Sequence, residues 1–336
     1  MMNLETVLRT VSPHFLNLSE RIFAYGPQGK LVLRNLEEHW FAHCVTMSRH
    51  NVFLYDGNIA DTLHLLRRTK ADVTPFALAT FATSKTTWNE SALPAGGKIS
   101  SHRIAKLKML VDASESTNLL HKIQRERKVW WRKLAQYPSR FVLAEAKKAR
   151  NVDVTDIEAR FPFGSVAVET ITHHSDTRKL FPQTESGKDI VADVHMIEHV
   201  ASLDWGCLAL LCDSYMSDNS SSAHIHPKLS PYKTTFFVNR QGNETDWTDR
   251  TEGTDSEVED LNQFVLYLNN MIRGKGISTI LTNDEQIIEM YLIPFIVSVD
   301  KTSLKNGIVH VKSRSTTLHE AVHITDLVKY IALRSS

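Results

Sequence analysis

Apolar residues return at helical spacing through the stretch 122–141, KIQRERKVWWRKLAQYPSRF. Leu120, Ile123, Trp130, Trp131 and Leu134 share one arc at about 100° per residue. Lys122, Arg125, Lys128, Arg132 and Lys133 fall off that arc, so the stretch reads as an amphipathic helix. The serines at 114 and 116 are placed to cap it, and no Gly or Pro interrupts it before Pro138. Arg127 breaks the pattern by projecting onto the apolar arc. A cation there needs a buried acid as partner, or a path through to a site.

The same reading extends along the chain. Residues 1–60 mix short helical and strand-like runs such as 31–33 and 52–55, and 59–68 is a helix. Residues 83–101, with Pro94, Gly96 and Gly97, form a loop, and 106–111 a strand. Residues 160–164 turn, a short helix runs from Val166 to about His174, a strand spans 190–199, and an apolar helix spans 205–215. The stretch 216–223, with its serine run, is the best linker and divides a domain at 1–222 from one at 223–336. Beyond it the pattern predicts strands at 232–238, 276–281, 294–299 and 307–311. Helices at 257–272, 284–291 and 325–333 alternate with them, as in a compact α/β domain with a mixed sheet.

Composition narrows the partners. The chain has 336 residues, is 23% charged and carries a formal net charge of +1, so any polyanion must be met by local clustering. Between Lys122 and Arg150 there are ten Lys or Arg and two Glu. A Trp-anchored basic helix with a basic tail suits nucleic acid, and a solvated surface helix is the plainer alternative. Residues 244–260 hold eight acids and a single Arg, which makes the start of the second domain a poor nucleic-acid surface. Cys44, Cys207 and Cys212 are too scattered for a disulfide framework or a zinc site. No apolar run reaches about 18 residues, so no membrane contact is expected. The first twenty residues make a poor signal peptide and a weak transit peptide.

His195-Met-Ile-Glu-His199 has the H-x-x-E-H spacing of some zinc proteases, which requires a helix. The β-like flank at 190–194 instead puts the two rings roughly 13 Å apart, so neither a metal nor a cofactor is expected. On the helix 257–272, Val258, Leu261, Val265, Leu268 and Ile272 form one apolar stripe. Phe264, Tyr267 and Met271 form a second stripe beside it, giving an arc wider than one sheet buries. The outer stripe is either deeper core or a protein-binding face. Asp255, Glu257, Glu259 and Asp260 oppose the positive end of that helix dipole.

Several segments together resemble the accessory subunits of mitochondrial DNA polymerase gamma, which are themselves similar to class II glycyl-tRNA synthetases. They are RERKVWWRKL from Arg125 with Pro138 and Ser139, FPFG from Phe161, LDWGCLALLCDSY from Leu203 and HPKLSPYK from His226. LKNGIVHVKSRSTTL from Leu304 and HIT from His323 complete the set. The resemblance holds its order from about residue 120 to the C-terminal end.

This resemblance implies an α/β (α+β) chain, with a synthetase-like antiparallel-sheet domain followed by an anticodon-binding-like mixed-sheet domain. It implies a non-catalytic processivity subunit that binds the polymerase catalytic subunit and primer–template DNA in mitochondria. Residues 198–205 fall where synthetases carry E-P-S-x-G-x-D-R, and here Ser202 replaces the glycine and Trp205 the arginine. An indole cannot replace the guanidinium fork on a phosphate. Only one helix, 59–68, is expected between Tyr55 and Ser114, as in the shorter, insect-type members, which implies a monomer in a 1:1 complex. On this reading Arg125, Lys128, Arg132, Lys133, Arg140, Lys147 and Lys148 meet phosphates, and Phe264, Tyr267 and Met271 meet the partner. An active glycyl-tRNA-synthetase-like ligase and a free-standing tRNA- or RNA-binding module are the alternatives.

Overall fold

The computed structural model describes residues 3–19, 22–56, 58–69, 71, 73–89, 99–149, 152–177, 194–215, 223–238 and 255–335. The chain divides into two compact units, Met1–Asp213 and Ser214–Ser336. Apart from Ala223, the expected linker lies outside the described residues, as does most of the acidic stretch 244–260.

The first unit begins with α1 (Leu4–Val11), the hairpin β1 (Leu16–Ser19) and β2 (Ile22–Tyr25), α2 (Pro27–Phe41), β3 (Asn51–Leu54) and α3 (Ile59–Arg68). It continues through β4 (Phe76–Ser84), β5 (His102–Asp112), α4 (Ala113–Leu134), β6 (Phe141–Leu143) and β7 (Lys147–Ala149). The long hairpin β8 (Val152–Phe161) and β9 (Gly164–His174), then β10 (Val194–Ser202) and α5 (Leu203–Tyr215), complete it. Eight strands form one sheet in the order β3-β4-β5-β10-β9-β8-β6, with β7 also on β8. Only the β3–β4 pair is parallel.

α4 carries the basic stretch, with corrected ends. Its N-cap is Asp112, and the Ser116 hydroxyl donates back to the Ala113 carbonyl (2.8 Å) without capping the helix. The helix stops at Leu134, because Asp213 Oδ2 accepts the backbone N–H groups of Gln136 (2.6 Å) and Tyr137 (3.1 Å), and Phe141 opens a strand. The helix expected from Val166 is strand β9. Its β-branched Val166, Val168, Thr170, Ile171 and Thr172 favour a pleated surface, and Gly164, at φ +136°, closes its hairpin. Leu31–Leu33 lies in α2, and α3 has the bounds expected of it.

The second unit holds β11 (Thr234–Val238), α6 (Asp255–Arg273), α7 (Glu285–Met290), β12 (Phe295–Val299), α8 (Lys301–Asn306), β13 (Ile308–Ser313), β14 (His319–His323) and α9 (Ile324–Ser335). The sheet order is β11-β12-β13-β14, with β11 and β12 parallel and the other pairs antiparallel. The strand expected at 276–281 is reduced to one bridge, Thr234 to Thr279. The Thr279 carbonyl accepts from Arg273 Nη2 (2.8 Å) instead of from a ladder. The sequence pattern missed α8, which Asp300 caps through a reciprocal bond pair with Ser303, and edge strand β14.

Leu261, Val265, Leu268 and Ile272 of α6 are buried with Val297, Val309, Val311, Leu327 and Ile331 in this unit's core. Leu268→Ala should therefore cost about 2–5 kcal/mol in urea unfolding, whereas a cost near zero would mean the site refills.

Candidate nucleic-acid and partner interfaces

Arg127 projects from the inward face of α4 with its side chain 3% exposed, opposite Glu169 of β9 at 0%. The pair is bidentate: Nε donates to Oε1 at 2.8 Å and Nη2 to Oε2 at 3.0 Å. Trp131 Nε1 donates to the same Oε2 at 2.6 Å, and Arg127 Nη1 donates to Cys44 Sγ at 3.2 Å. The guanidinium lies over the Trp130 ring at 4.3 Å, and His199 Nδ1 of β10 is 3.0 Å from Glu169 Oε1. The Arg127 that broke the apolar pattern thus has a buried acid as its partner.

Burial alone would raise the Glu169 carboxyl. Arg127, together with His199, instead pulls it down to about 2. Burial likewise works against the Arg127 charge, and Cys44 and Glu169 hold the group protonated. Burial pushes the Cys44 thiol up to about 12, so it is not a nucleophile. Each of the three Arg127 nitrogens has an acceptor inside the fold, and the cluster functions as an anchor. Around it the Trp131 indole stacks on Phe141 with centroids 6.2 Å apart, and a Cβ at Gly206 would collide with that indole.

Anchoring the inner arc fixes what the outer arc shows. Arg125 and Lys133 are exposed and Lys128 is half-buried. Arg132 Nε donates to the Phe141 carbonyl at 2.8 Å. Arg140 Nη1 donates to Asp213 Oδ1 at 2.9 Å, with its guanidinium 4.5 Å from the Tyr137 ring. Lys147 is 80% exposed and 3.6 Å from Asp156 Oδ2, and Lys148 beside it on β7 is exposed. Five of the seven candidate cations therefore stand on the surface or partly so, and two are tied into the fold.

Ser202 and Trp205 occupy the strand-to-helix junction between β10 and α5. The Ser202 hydroxyl bonds His102 Nδ1 (2.7 Å) and accepts from the Trp205 backbone N–H (3.2 Å). The Trp205 side chain is fully buried, edge-on to Phe23 at 5.1 Å. No cationic fork is presented at that position. His195 and His199 lie on strand β10, and no group of three metal-ligating side chains occurs among the described residues. No helix among them is long and apolar enough to cross a membrane.

On α6 the outer stripe is graded. Tyr267 is 56% exposed and stacks on Phe264, centroids 6.4 Å apart. Phe264 and Met271 are half-buried and pack against the edge of the core. Leu266, at 48%, is exposed as well, but lies about 120° round the helix from that stripe and stands apart from it. Glu169, Cys44 and Asp213 were missed in the pattern, since only the tertiary fold brings them to α4.

The model of the anticodon-binding domain family matches residues 255–334, within the second unit. The chain is similar to DNA polymerase subunit gamma-2 of Mus musculus, 29% identical over 243 residues, which cover 63% of this chain and 50% of the mouse protein. It is similar also to the mitochondrial DNA polymerase subunit gamma-2 of Drosophila melanogaster, 26% identical over 242 residues, 66% of this chain and 64% of the fly protein. Glycine–tRNA ligase of Borreliella burgdorferi is 26% identical over 193 residues, 52% of this chain and 41% of the ligase. The chain thus spans less than two thirds of the length of these relatives. The second unit, which carries the match, is an α/β domain with a mixed sheet, and the first unit's sheet is antiparallel apart from one pair.

Glu169→Gln leaves Arg127 buried without a counter-charge and should cost about 3–5 kcal/mol. The sign with pH follows from a carboxyl held at about 2 in the fold. Its stabilisation is complete above the ordinary glutamate range and is lost as pH falls toward about 2. Urea titrations between about pH 5 and pH 3 should show a steeper loss in the parent than in the Gln variant. Parallel curves would remove the pair from the account.

Proposed function

We propose that this chain is a non-catalytic subunit of a mitochondrial DNA polymerase that binds the catalytic subunit and strengthens its hold on primer–template DNA. The observation that carries the reading is Trp205. In a chain similar to subunits named for that polymerase, a buried indole stands where the synthetase pattern has its phosphate-binding arginine. The subunit acts in the matrix, at the nucleoid, as a monomer in a 1:1 complex.

DNA lies along the outer arc of α4 and over β7. Arg125, Lys128, Lys133, Lys147 and Lys148 meet phosphates directly, and Arg132 and Arg140 support the strip from their places in the fold. Contacts of this kind read no sequence and release counterions. Removing the charge at Arg125, Lys133 and Lys148 together should flatten the dependence of log K on log salt by roughly three units. An unchanged slope would leave α4 a solvated face.

The partner surface is the outer stripe of α6, because aromatic and Met side chains anchor interfaces. Replacing the exposed Tyr267 with Ser should reduce stimulation of the polymerase while barely moving the melting temperature. A large stability loss with normal affinity in the folded fraction would make the stripe core and send the search to residues 305–314.

The similarity to glycine–tRNA ligase favours one second reading, an active ligase. ATP–pyrophosphate exchange in the presence of glycine would establish it. A free-standing RNA-binding module would instead hold tRNA far more tightly than duplex DNA at matched salt.

A further inference from the structure

We infer that Ser116, His195, His173 and Asp153 form a proton-sensitive clasp that fastens the first turn of α4 to the sheet and opens when both histidines are charged. The four residues come from α4, β10, β9 and β8, and the proposed function uses none of them. Ser116 Oγ is 2.8 Å from His195 Nδ1, and His195 Nδ1 is 3.1 Å from His173 Nε2. His173 Nδ1 in turn lies 4.0 Å from Asp153 Oδ2, its cross-strand neighbour. The two rings meet at 5.1 Å, Ser116 is 1% exposed and His173 is 8% exposed.

Asp153 sets the direction of the chain, because its carboxylate can only accept and so calls for a hydrogen on His173 Nδ1. A serine hydroxyl has one proton, and with it given to the Ala113 carbonyl at 2.8 Å Ser116 accepts toward His195. His195 Nδ1 therefore carries a hydrogen. His173 Nε2, facing that same N–H, must be the bare acceptor, which puts the His173 proton on Nδ1, toward Asp153. Both rings are neutral in this arrangement. A proton at His195 Nε2 lies outside the chain of contacts and leaves every contact intact. With His195 charged, a proton added to His173 has only Nε2 to take, and there it sets N–H against N–H at 3.1 Å.

The charged and titratable groups bearing on His173 are His195 of β10, Asp153 of β8 and its own neighbour His174. Burial and the His195 ring hold the His173 imidazole below its ordinary range, against the opposing pull of Asp153. The clasp is therefore closed above about pH 6.5, and as pH falls below it the unfolded chain gains protons that the closed clasp refuses.

NMR titration of the full chain, following each histidine ring, tests this directly. His173 should titrate below about 6.5. In His195→Ala the His173 value should rise by roughly half a unit or more, because Nε2 loses the N–H that occupied it. Amide exchange, corrected for its intrinsic pH dependence, should show residues 117–120, whose N–H groups bond the carbonyls of the first turn of α4, losing protection between about pH 7 and pH 5 in the parent and not in His173→Gln. A His173 ring titrating at or above 6.5 in the unmodified chain overturns the clasp. So does a His173 value unmoved by His195→Ala, or equal exchange in parent and His173→Gln. The first of these outcomes needs no variant to fold.

Discussion

The buried pair of Arg127 and Glu169 sets the orientation of everything on α4. Two ions this far from water are tolerable only with close geometry and further hydrogen bonds, and here Trp131 and Cys44 add bonds to the pair while His199 stands 3.0 Å from the carboxylate. A helix held by van der Waals packing alone could rotate or slide by a fraction of a turn at modest cost. A bidentate fork on a fixed carboxylate permits one rotation. With that rotation set, Trp130, Trp131 and Leu134 enter the core, and Arg125 and Lys133 are held outward. The anchor thus gives a nearly neutral chain one face where positive charge is concentrated.

At the β10–α5 junction the side chains that stand at the glycine and arginine positions of the synthetase pattern are committed to packing. The strand and the helix meet there directly, and the side chains facing the junction pack into the fold. Ser202 engages His102 and the helix backbone, and Trp205 fills volume against Phe23. Close by, Asp204 accepts from the Tyr25 hydroxyl and the Arg103 backbone N–H, so its carboxylate holds the fold. Residues that would have to remain mobile or solvated to handle ATP are committed to structure, and this fits a subunit that contributes surface instead of chemistry.

How far the sequence reveals this depends on whether a feature is local. The bounds of α3, the inner stripe of α6 and the oddity of Arg127 are local, and periodicity displays them. Glu169 lies 42 residues from Arg127, in a run of Val, Ala, Thr and Ile whose short span suits helix or strand, so neither its partner nor its strand was visible. The basic strip is an intermediate case. Helical spacing placed Arg125 and Arg132 on one arc, but only the fold shows that Arg132 is held by the Phe141 carbonyl and Arg140 by Asp213. α8 and β14 are six and five residues long, too short for a period to emerge.

The most direct test of the account is a single-encounter extension assay. The mitochondrial polymerase catalytic subunit is bound to primer–template DNA, an excess of trap DNA is added with nucleotides, and product lengths are read with and without an equimolar amount of this chain. The account predicts markedly longer products in its presence, with the difference shrinking as salt rises. Product lengths unchanged by the chain at low salt, under conditions where the catalytic subunit alone is active, would contradict it.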